Sequence, residues 1–305
     1  MSLVGLVVNP VAGRGRGSHA GRAVHDRLAG AGHAVRDLSG PTLAHSADRA
    51  RAAVLAGLDA LVVVGGDGMV HLGVGLVAGT GLPLGVVAVG TGNDAARALG
   101  LPRGDVRAAT DVVDAALRAG RARSVDAART GRPGAGAREW FLGVLSCGLD
   151  AAVNARANTL RRPQGNARYL AALVPELARF RPYGYRVRVD DVLWEQPGTL
   201  VAVANAPWFG GGLHVAPDAR LDDGLLDVVL AGSFTRVGAL GVFPRLYGGS
   251  HVRDRRVRVL RGRTVVVEAA PHHGPPPPAA FADGERIGPL PLTVECVPGA
   301  VRVLV

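Results

Sequence analysis

The first third of the chain alternates short apolar runs with segments of helical period. Residues 3–8 form an apolar run ending at Asn9-Pro10, followed by a Gly- and Arg-rich turn over 13–17 and then Ala, Arg and Leu at helical spacing. This reads as strand, loop, helix. The unit recurs: residues 35–38 predict a strand, 47–56 a helix, 61–64 a strand running into Gly65-Gly66-Asp67-Gly68, and 70–78 a helix. Residues 83–89 predict another buried strand, 90–94 a turn, and 95–99 a helix closed by Gly100 and Pro102. Such alternation argues for a parallel sheet with helices on both faces, because each crossover lays a helix against the sheet.

Beyond about residue 125 the texture changes to strand-like segments joined by turns, at 140–145, 185–189, 199–203, 225–230, 256–260, 264–268 and 301–305. Only 166–180 and 236–247 carry a helical pattern. The expected fold class is therefore α/β, with a parallel α/β domain over residues 1–124 and a mostly antiparallel β-sandwich domain over 125–290. Residues 291–305 are expected to pack back on the first domain. The Gly- and Pro-rich stretch 274–278 reads as a stiff connector.

Composition narrows the chemistry. At 305 residues, with 48% hydrophobic but only 4% aromatic residues, the chain is long enough for two cores built mainly from Ala, Val and Leu. Apolar stretches break well short of the roughly 18 residues a membrane span needs, and no signal-peptide pattern is present, so a cytoplasmic protein is expected. Cys147 and Cys296 lie far apart in strand-like segments and read as unpaired core thiols. The net charge is +10, and all 35 cationic residues are arginine. A lysine-free chain has no Walker loop, no protein-kinase lysine and no Schiff-base chemistry. Whatever it does to a phosphate uses backbone N–H groups, arginine or a metal ion.

In a parallel sheet, ligands sit beyond the carboxyl ends of the strands, and three predicted strands end there in unusual turns: Asn9-Pro10-Val11-Ala12-Gly13, Gly65-Gly66-Asp67-Gly68 and Gly90-Thr91-Gly92-Asn93-Asp94. Glycines let backbone N–H groups close around an anion, aided by the helix N-terminus that follows. Three such loops on one edge predict a phosphate cradle. Asp67 is also the residue type that caps a following helix.

These three segments resemble the N-terminal motifs of the diacylglycerol kinase catalytic-domain family, which includes bacterial lipid kinases and sphingosine and ceramide kinases. The resemblance continues through Gly148-Leu149-Asp150-Ala151, residues 165–169, residues 210–217, Asp223-Gly224-Leu225-Leu226-Asp227 and Asp283-Gly284-Glu285. It covers nearly the whole chain in order and spacing. It implies that the first domain binds ATP against Asn9, Pro10, Gly13, Gly65, Gly66, Asp67, Gly68, Met69, His71 and Thr91, with Asn93, Asp94 and Ser39 as further nucleotide-side residues. Asp67 would face the phosphates through Mg2+, since a carboxylate beside a polyanion needs a divalent cation between them. Glu285 would take the acceptor hydroxyl's proton, with Asp283 beside it in the catalytic turn; without the resemblance, Asp283-Gly284 reads as an ordinary hairpin turn. A second, structural cation would be held by the Asp223 carboxylate with backbone carbonyls near Arg220 and Leu225.

The sequence also departs from the family pattern. Met69 replaces a usual hydroxyl residue and Leu72 an expected acidic one. The surviving constellation of Asp67, Asn93, Asp94, Asp223, Asp283 and Glu285 favours an active enzyme over a pseudo-kinase. The family places a hydroxyl-bearing acceptor's lipid tail in an apolar pocket of the second domain, for which Trp208, Phe209 and Leu213 are candidates; they read equally well as core or loop anchors. A soluble or natural-product hydroxyl is the other acceptor class. Arg161, Arg162, Arg168 and the arginines of 253–263 are either a peripheral contact for an anionic membrane or a solvated face. A homodimer is left open. Nucleic acid is not an expected partner, because no recognition helix, zinc pattern or aromatic RNA platform is present.

Overall fold

The computed structural model describes residues 1–134, 138–160 and 166–305; Arg161, Arg162 and the side chain of Arg168 lie outside the described residues. The chain forms two compact units. Unit 1 comprises Met1–Ala127, Leu221–Asp223 and Val297–Val305, and unit 2 comprises Ala128–Arg220 and Gly224–Cys296. The excursion Leu221–Asp223 into unit 1 carries no pattern of its own. It is tied there by the Leu221 carbonyl, which accepts the Asp126 N–H at 2.7 Å.

Unit 1 runs β1 (Leu3–Val8), α1 (Ala12–Gly15), α2 (Gly17–Gly30), β2 (Ala34–Asp37), α3 (Leu43–Ala56), β3 (Ala60–Gly65), α4 (Asp67–Val77), β4 (Pro83–Ala88), α5 (Asp94–Leu99) and α6 (Val106–Ala119). The strands pair in parallel in the order β4-β3-β1-β2. Their apolar runs are buried on both faces, as a doubly covered parallel sheet requires. One face packs Val4, Leu6, Val62, Val64 and Val87 against Ala20, Val24 and Leu28 of α2 and Ala109, Val113 and Ala116 of α6. Helix α6 was not assigned from the strand–helix alternation, although its N-cap is a regular one: the Asp105 carboxylate accepts the Ala108 N–H at 2.9 Å.

From there the chain continues through β5 (Arg123–Gly131), β6 (Glu139–Phe141), β7 (Val144–Gly148), α7 (Leu149–Thr159), α8 (Asn166–Arg179), β8 (Tyr183–Val189), β9 (Val192–Ala204), β10 (Trp208–Phe209), β11 (Leu213–His214), β12 (Leu226–Gly232), α9 (Arg236–Tyr247), β13 (Val257–Gly262), β14 (Thr264–Ala269), β15 (Ala280–Ala282), β16 (Glu285–Gly288) and β17 (Leu292–Val303). Within unit 2 the pairings are antiparallel, in the order β16-β15-β7-β9-β8-β14, with β12 joined to β9 and β13 to β12. Strand β9 serves two sets of partners: its first half pairs with β8, and its second half lies between β7 and β12. The fold is thus mixed α/β, with a parallel N-terminal sheet and an antiparallel, β-rich second unit.

Three expectations need correction. The single strand expected at 140–145 is broken at Leu142-Gly143, because the Asp283 carboxylate gathers the N–H groups of Leu142, Gly143 and Val144 and turns the backbone out of the ladder. The segment Leu149–Thr159 is helical, unassigned from sequence because its buried positions are mostly alanines with little periodic contrast. The strand expected at 301–305 begins at Leu292 and runs through Pro298-Gly299 to Val303. Cys147 and Cys296 are buried and not disulfide-bonded.

Candidate phosphate-binding site

Strand register brings the three glycine-rich loops together. Val8 lies opposite Val64, and Val64 opposite Val87, so β1, β3 and β4 end level and release their loops from one sheet edge. The loops then lock to one another. The Asn9 N–H donates to the Val64 carbonyl at 3.0 Å, and the Val89 and Gly90 N–H groups donate to the Gly65 carbonyl at 2.8 and 3.2 Å. Gly13 has φ +58°, and a Cβ there would sit 2.4 Å from the Val89 carbonyl oxygen. A Cβ on Gly90 would lie 2.4 Å from the Gly66 Cα, so these two glycines touch backbone to backbone.

Each predicted residue has a definite place in this arrangement. The Asn9 side chain accepts the Val11 N–H at 3.1 Å, forming the turn that starts α1. Asp67 is the first residue of α4, and its Oδ1 accepts the Ala95 N–H, in the first turn of α5, at 3.0 Å. It therefore caps a helix, but the helix of the neighbouring loop. Asn93 sits in the left-handed region at φ 57° with its Nδ2 on the Gly90 carbonyl at 2.9 Å, while its buried Oδ1 has no hydrogen-bond partner. Asp94 is buried, with the Arg97 guanidinium 4.0 Å away. Thr91 is exposed and His71 half-buried in the second turn of α4. Met69 is only 3% exposed; a Cβ on Gly65 would lie 2.4 Å from its Cγ, and its N–H is bonded to the Gly66 carbonyl. Its side chain belongs to the core rather than to the loop surface.

Pro10 and Ser39 line a separate open cavity of about 530 Å3, together with Arg22, His25 and Asp26 of α2. The Ser39 hydroxyl accepts the Val8 N–H at 3.0 Å. The α2 side chains were not foreseen, because charged residues on a helix face read as solvated surface; only the cavity marks them as candidates of ligand size.

The groups present fit a magnesium–nucleotide phosphate chain. The N-cap of α4 is Gly66, which offers no capping side chain to the N–H groups that open the helix. Asp67 supplies a carboxylate at that helix start, and the orphaned Asn93 Oδ1 is a further acceptor of the kind a metal-bound water satisfies.

In unit 2, Asp283 has φ 51°, and its carboxylate accepts three backbone N–H groups at 2.9 to 3.2 Å. That occupation makes it the anchor of the Asp283-Gly284-Glu285 turn. Glu285 opens β16 and is exposed. Asn154 of α7 donates to the Gly284 carbonyl at 3.4 Å, and one turn earlier on the same helix face stands Asp150, whose Oδ1 is buried without a partner. Burial pushes the Asp150 carboxyl up to about 6, against the lowering effect of hydrogen bonds from Ser146 and two backbone N–H groups. Trp208 stacks on His214 at 4.9 Å, and Phe209 pairs with Leu213, which is 5% exposed. These residues hold their hairpin. Asp222 pairs with Arg123 at 2.9 Å beside Asp223, which is half-buried in unit 1, whereas Arg220 and Leu225 belong to unit 2.

A parallel α/β unit with three interlocked glycine loops, joined in sequence to an antiparallel β-rich unit carrying an anchored Asp-Gly-Glu turn, defines a class of two-unit α/β proteins. The chain belongs to the family of diacylglycerol kinases and YegS-like lipid kinases. Residues 4–130 match the diacylglycerol kinase catalytic domain, and residues 143–305 match the YegS C-terminal NAD kinase beta sandwich-like domain. A Mycobacterium tuberculosis protein named "Diacylglycerol kinase" is 36% identical over 304 residues, covering 99% of this chain and 94% of the relative. A Bacillus subtilis protein of the same name is 26% identical over 268 residues, 87% of this chain and 85% of the relative. The fold is shared with the crystal structure of a diacylglycerol kinase from Bacillus anthracis, at a TM-score of 0.70 and 18% identity, over 99% of this chain and 96% of that one. Among the described residues no helix is long and apolar enough to cross a membrane.

Proposed function

We propose that this protein transfers the γ-phosphate of ATP to a hydroxyl of a lipid such as diacylglycerol or a related long-chain alcohol. The observation that carries this reading is the interlocked edge of unit 1, where the loops after β1, β3 and β4 end level and Asp67 joins two of them. The N–H groups at the start of α4 would hold phosphate oxygens, and the Asp67 carboxylate, with the Asn93 Oδ1 as a further acceptor, would hold Mg2+. Bound there, Mg2+ neutralises phosphate charge. The acceptor oxygen forms a bond to the γ-phosphorus, the bond to the β–γ bridging oxygen breaks, and ADP leaves; Glu285 takes the hydroxyl proton. Because the transition state is loose, alignment contributes more than the base. In the same reading the Asp223 carboxylate, half-buried in unit 1, would hold a structural cation.

A soluble hydroxyl acceptor is the second reading. It is favoured by the β10–β11 hairpin, where the Trp208 ring is already stacked on His214 at 4.9 Å and Leu213 is buried, so neither side chain offers a free apolar face to a lipid tail. Incubation with γ-labelled ATP and Mg2+, with a lipid extract and a soluble-metabolite extract in parallel, tests both. Label in the lipid fraction is expected; label confined to the soluble fraction selects the second reading, and transfer to neither overturns both.

A further inference from the structure

Unit 2 carries a cluster of metal-ligating side chains that the phosphotransfer reading does not use. Glu195 of β9 meets His272 and His273, which lie in the short 3-10 turn Pro271–His273 between β14 and β15. The His272 Nε2 is 2.8 Å from Glu195 Oε1, and the His273 Nε2 is 3.9 Å from the same oxygen. One donor atom from each of the three lies within 4.8 Å of the others. These separations bracket the edge of about 3.3 Å that a tetrahedral ion with bonds of about 2.0–2.1 Å would impose.

The backbone already holds the donors in place. The Gly184 carbonyl accepts the Ala270 N–H at 2.9 Å, the Gly184 N–H donates to the Pro275 carbonyl at 3.0 Å, and the His273 N–H donates to the Ala270 carbonyl at 2.9 Å. Both ends of the histidine turn are thereby pinned to β8. Two residues further along β8, Arg186 lies opposite Glu195 in register, and its Nε donates to Oε2 at 2.7 Å. Its Nη2 also donates to Oε1, at 3.1 Å, so Arg186 holds both carboxylate oxygens and orients the one that faces the histidines, as outer hydrogen bonds orient ligating carboxylates.

We infer that Glu195, His272 and His273 form a binding site for a divalent transition-metal cation, of which Zn2+ is the best match. Two imidazole nitrogens and one carboxylate oxygen are the donor set of zinc and its neighbours, whereas Mg2+ and Ca2+ take oxygen ligands. Three protein ligands leave a fourth position for water. The ion clips a segment between β14 and β15 to a strand far earlier in the chain, and cross-links that close long loops are the ones expected to restrict the unfolded chain most. The site is independent of the nucleotide loops and does not rest on the kinase reading.

The test is calorimetric titration of the untagged, chelator-treated full chain with ZnCl2 in excess Mg2+. One Zn2+ per chain is expected, together with a raised melting temperature and, for Co2+, the intense visible absorption of a tetrahedral site. His272→Ala/His273→Ala and, separately, Glu195→Gln should each weaken Zn2+ by about tenfold or more and remove the thermal shift, while melting normally in chelator. Absence of saturable binding, displacement of Zn2+ by Mg2+, or stoichiometric binding that persists unchanged in the double variant would overturn the inference.

Discussion

The Asp67 carboxylate accepts the Ala95 N–H at 3.0 Å, so one side chain both begins α4 and caps α5. Its charge and its acceptor geometry are separable. Asp67→Asn keeps an oxygen for Ala95 and removes the charge, and should abolish most phosphotransfer with a stability change below about 1 kcal/mol. Asp67→Ala also loses the cap and should cost about 1 kcal/mol more. Urea unfolding beside turnover measurements distinguishes the two; equal turnover in wild type and Asp67→Asn would remove Asp67 from the metal side of the proposal.

Asp283 and Glu285 share a turn but should fail in different ways. Asp283→Ala leaves the N–H groups of Leu142, Gly143 and Val144 without their acceptor and should destabilise the protein by about 2–3 kcal/mol, the scale of charge-assisted bonds. Glu285 is exposed, so Glu285→Gln should unfold at the wild-type midpoint, bind ATP normally and turn over far more slowly. Unchanged turnover would rule Glu285 out as the proton acceptor.

Gly90→Ala should separate the second and third loops, because its Cβ would meet the Gly66 Cα at 2.4 Å. Overpacking of this kind costs about 1–3 kcal/mol. Nucleotide affinity should fall with it, whereas Gly75→Ala, whose added Cβ meets nothing within 4 Å, should leave affinity intact. Equilibrium binding of a fluorescent ATP analogue reads both.

The pH dependence follows from Asp150. Its folded carboxyl titrates near 6, above the 3.8 of the free group, so between those values the folded state holds a proton that the unfolded chain releases. Stability from this group therefore falls as pH rises from about 4 to about 7. Asp150→Asn removes the titration, and its stability relative to wild type should rise over that interval by up to a few kcal/mol. Denaturant titrations of both proteins at pH 4.5 and 7.5 measure it; a difference that does not move with pH contradicts a buried, raised carboxyl.

The apolar runs of β1, β3 and β4 carried most of unit 1 in the sequence, because a strand buried on both faces is written as uninterrupted Val and Leu. The glycine loops were visible too, since Gly65, Gly66 and Gly90 stand where ordinary side chains would. What the sequence could not display was the use each polar group finds in three dimensions. Asp67 looked like the cap of its own helix and serves the next one. Asp283 looked like a catalytic partner and is occupied by three backbone donors. Asp150 stood inside a recognised motif, yet its burial depends on α7, whose alanine-rich face gives little periodic contrast. Met69 appeared to be a change on the nucleotide side, and only packing against Gly65 shows it turned inward.

One consequence concerns the order in which the chain is made. The outer edge of β4 is covered in parallel by β17, with Arg302 opposite Pro83 and Val303 opposite Leu84. The ribosome therefore releases the loops of the first sheet long before the strand that shields their edge exists. Until β17 arrives, the nascent sheet presents a row of unpaired backbone groups, and pairing across so long a separation is slow. Newly made chains should accordingly pass through a stage that depends on chaperones, one that the finished molecule no longer displays.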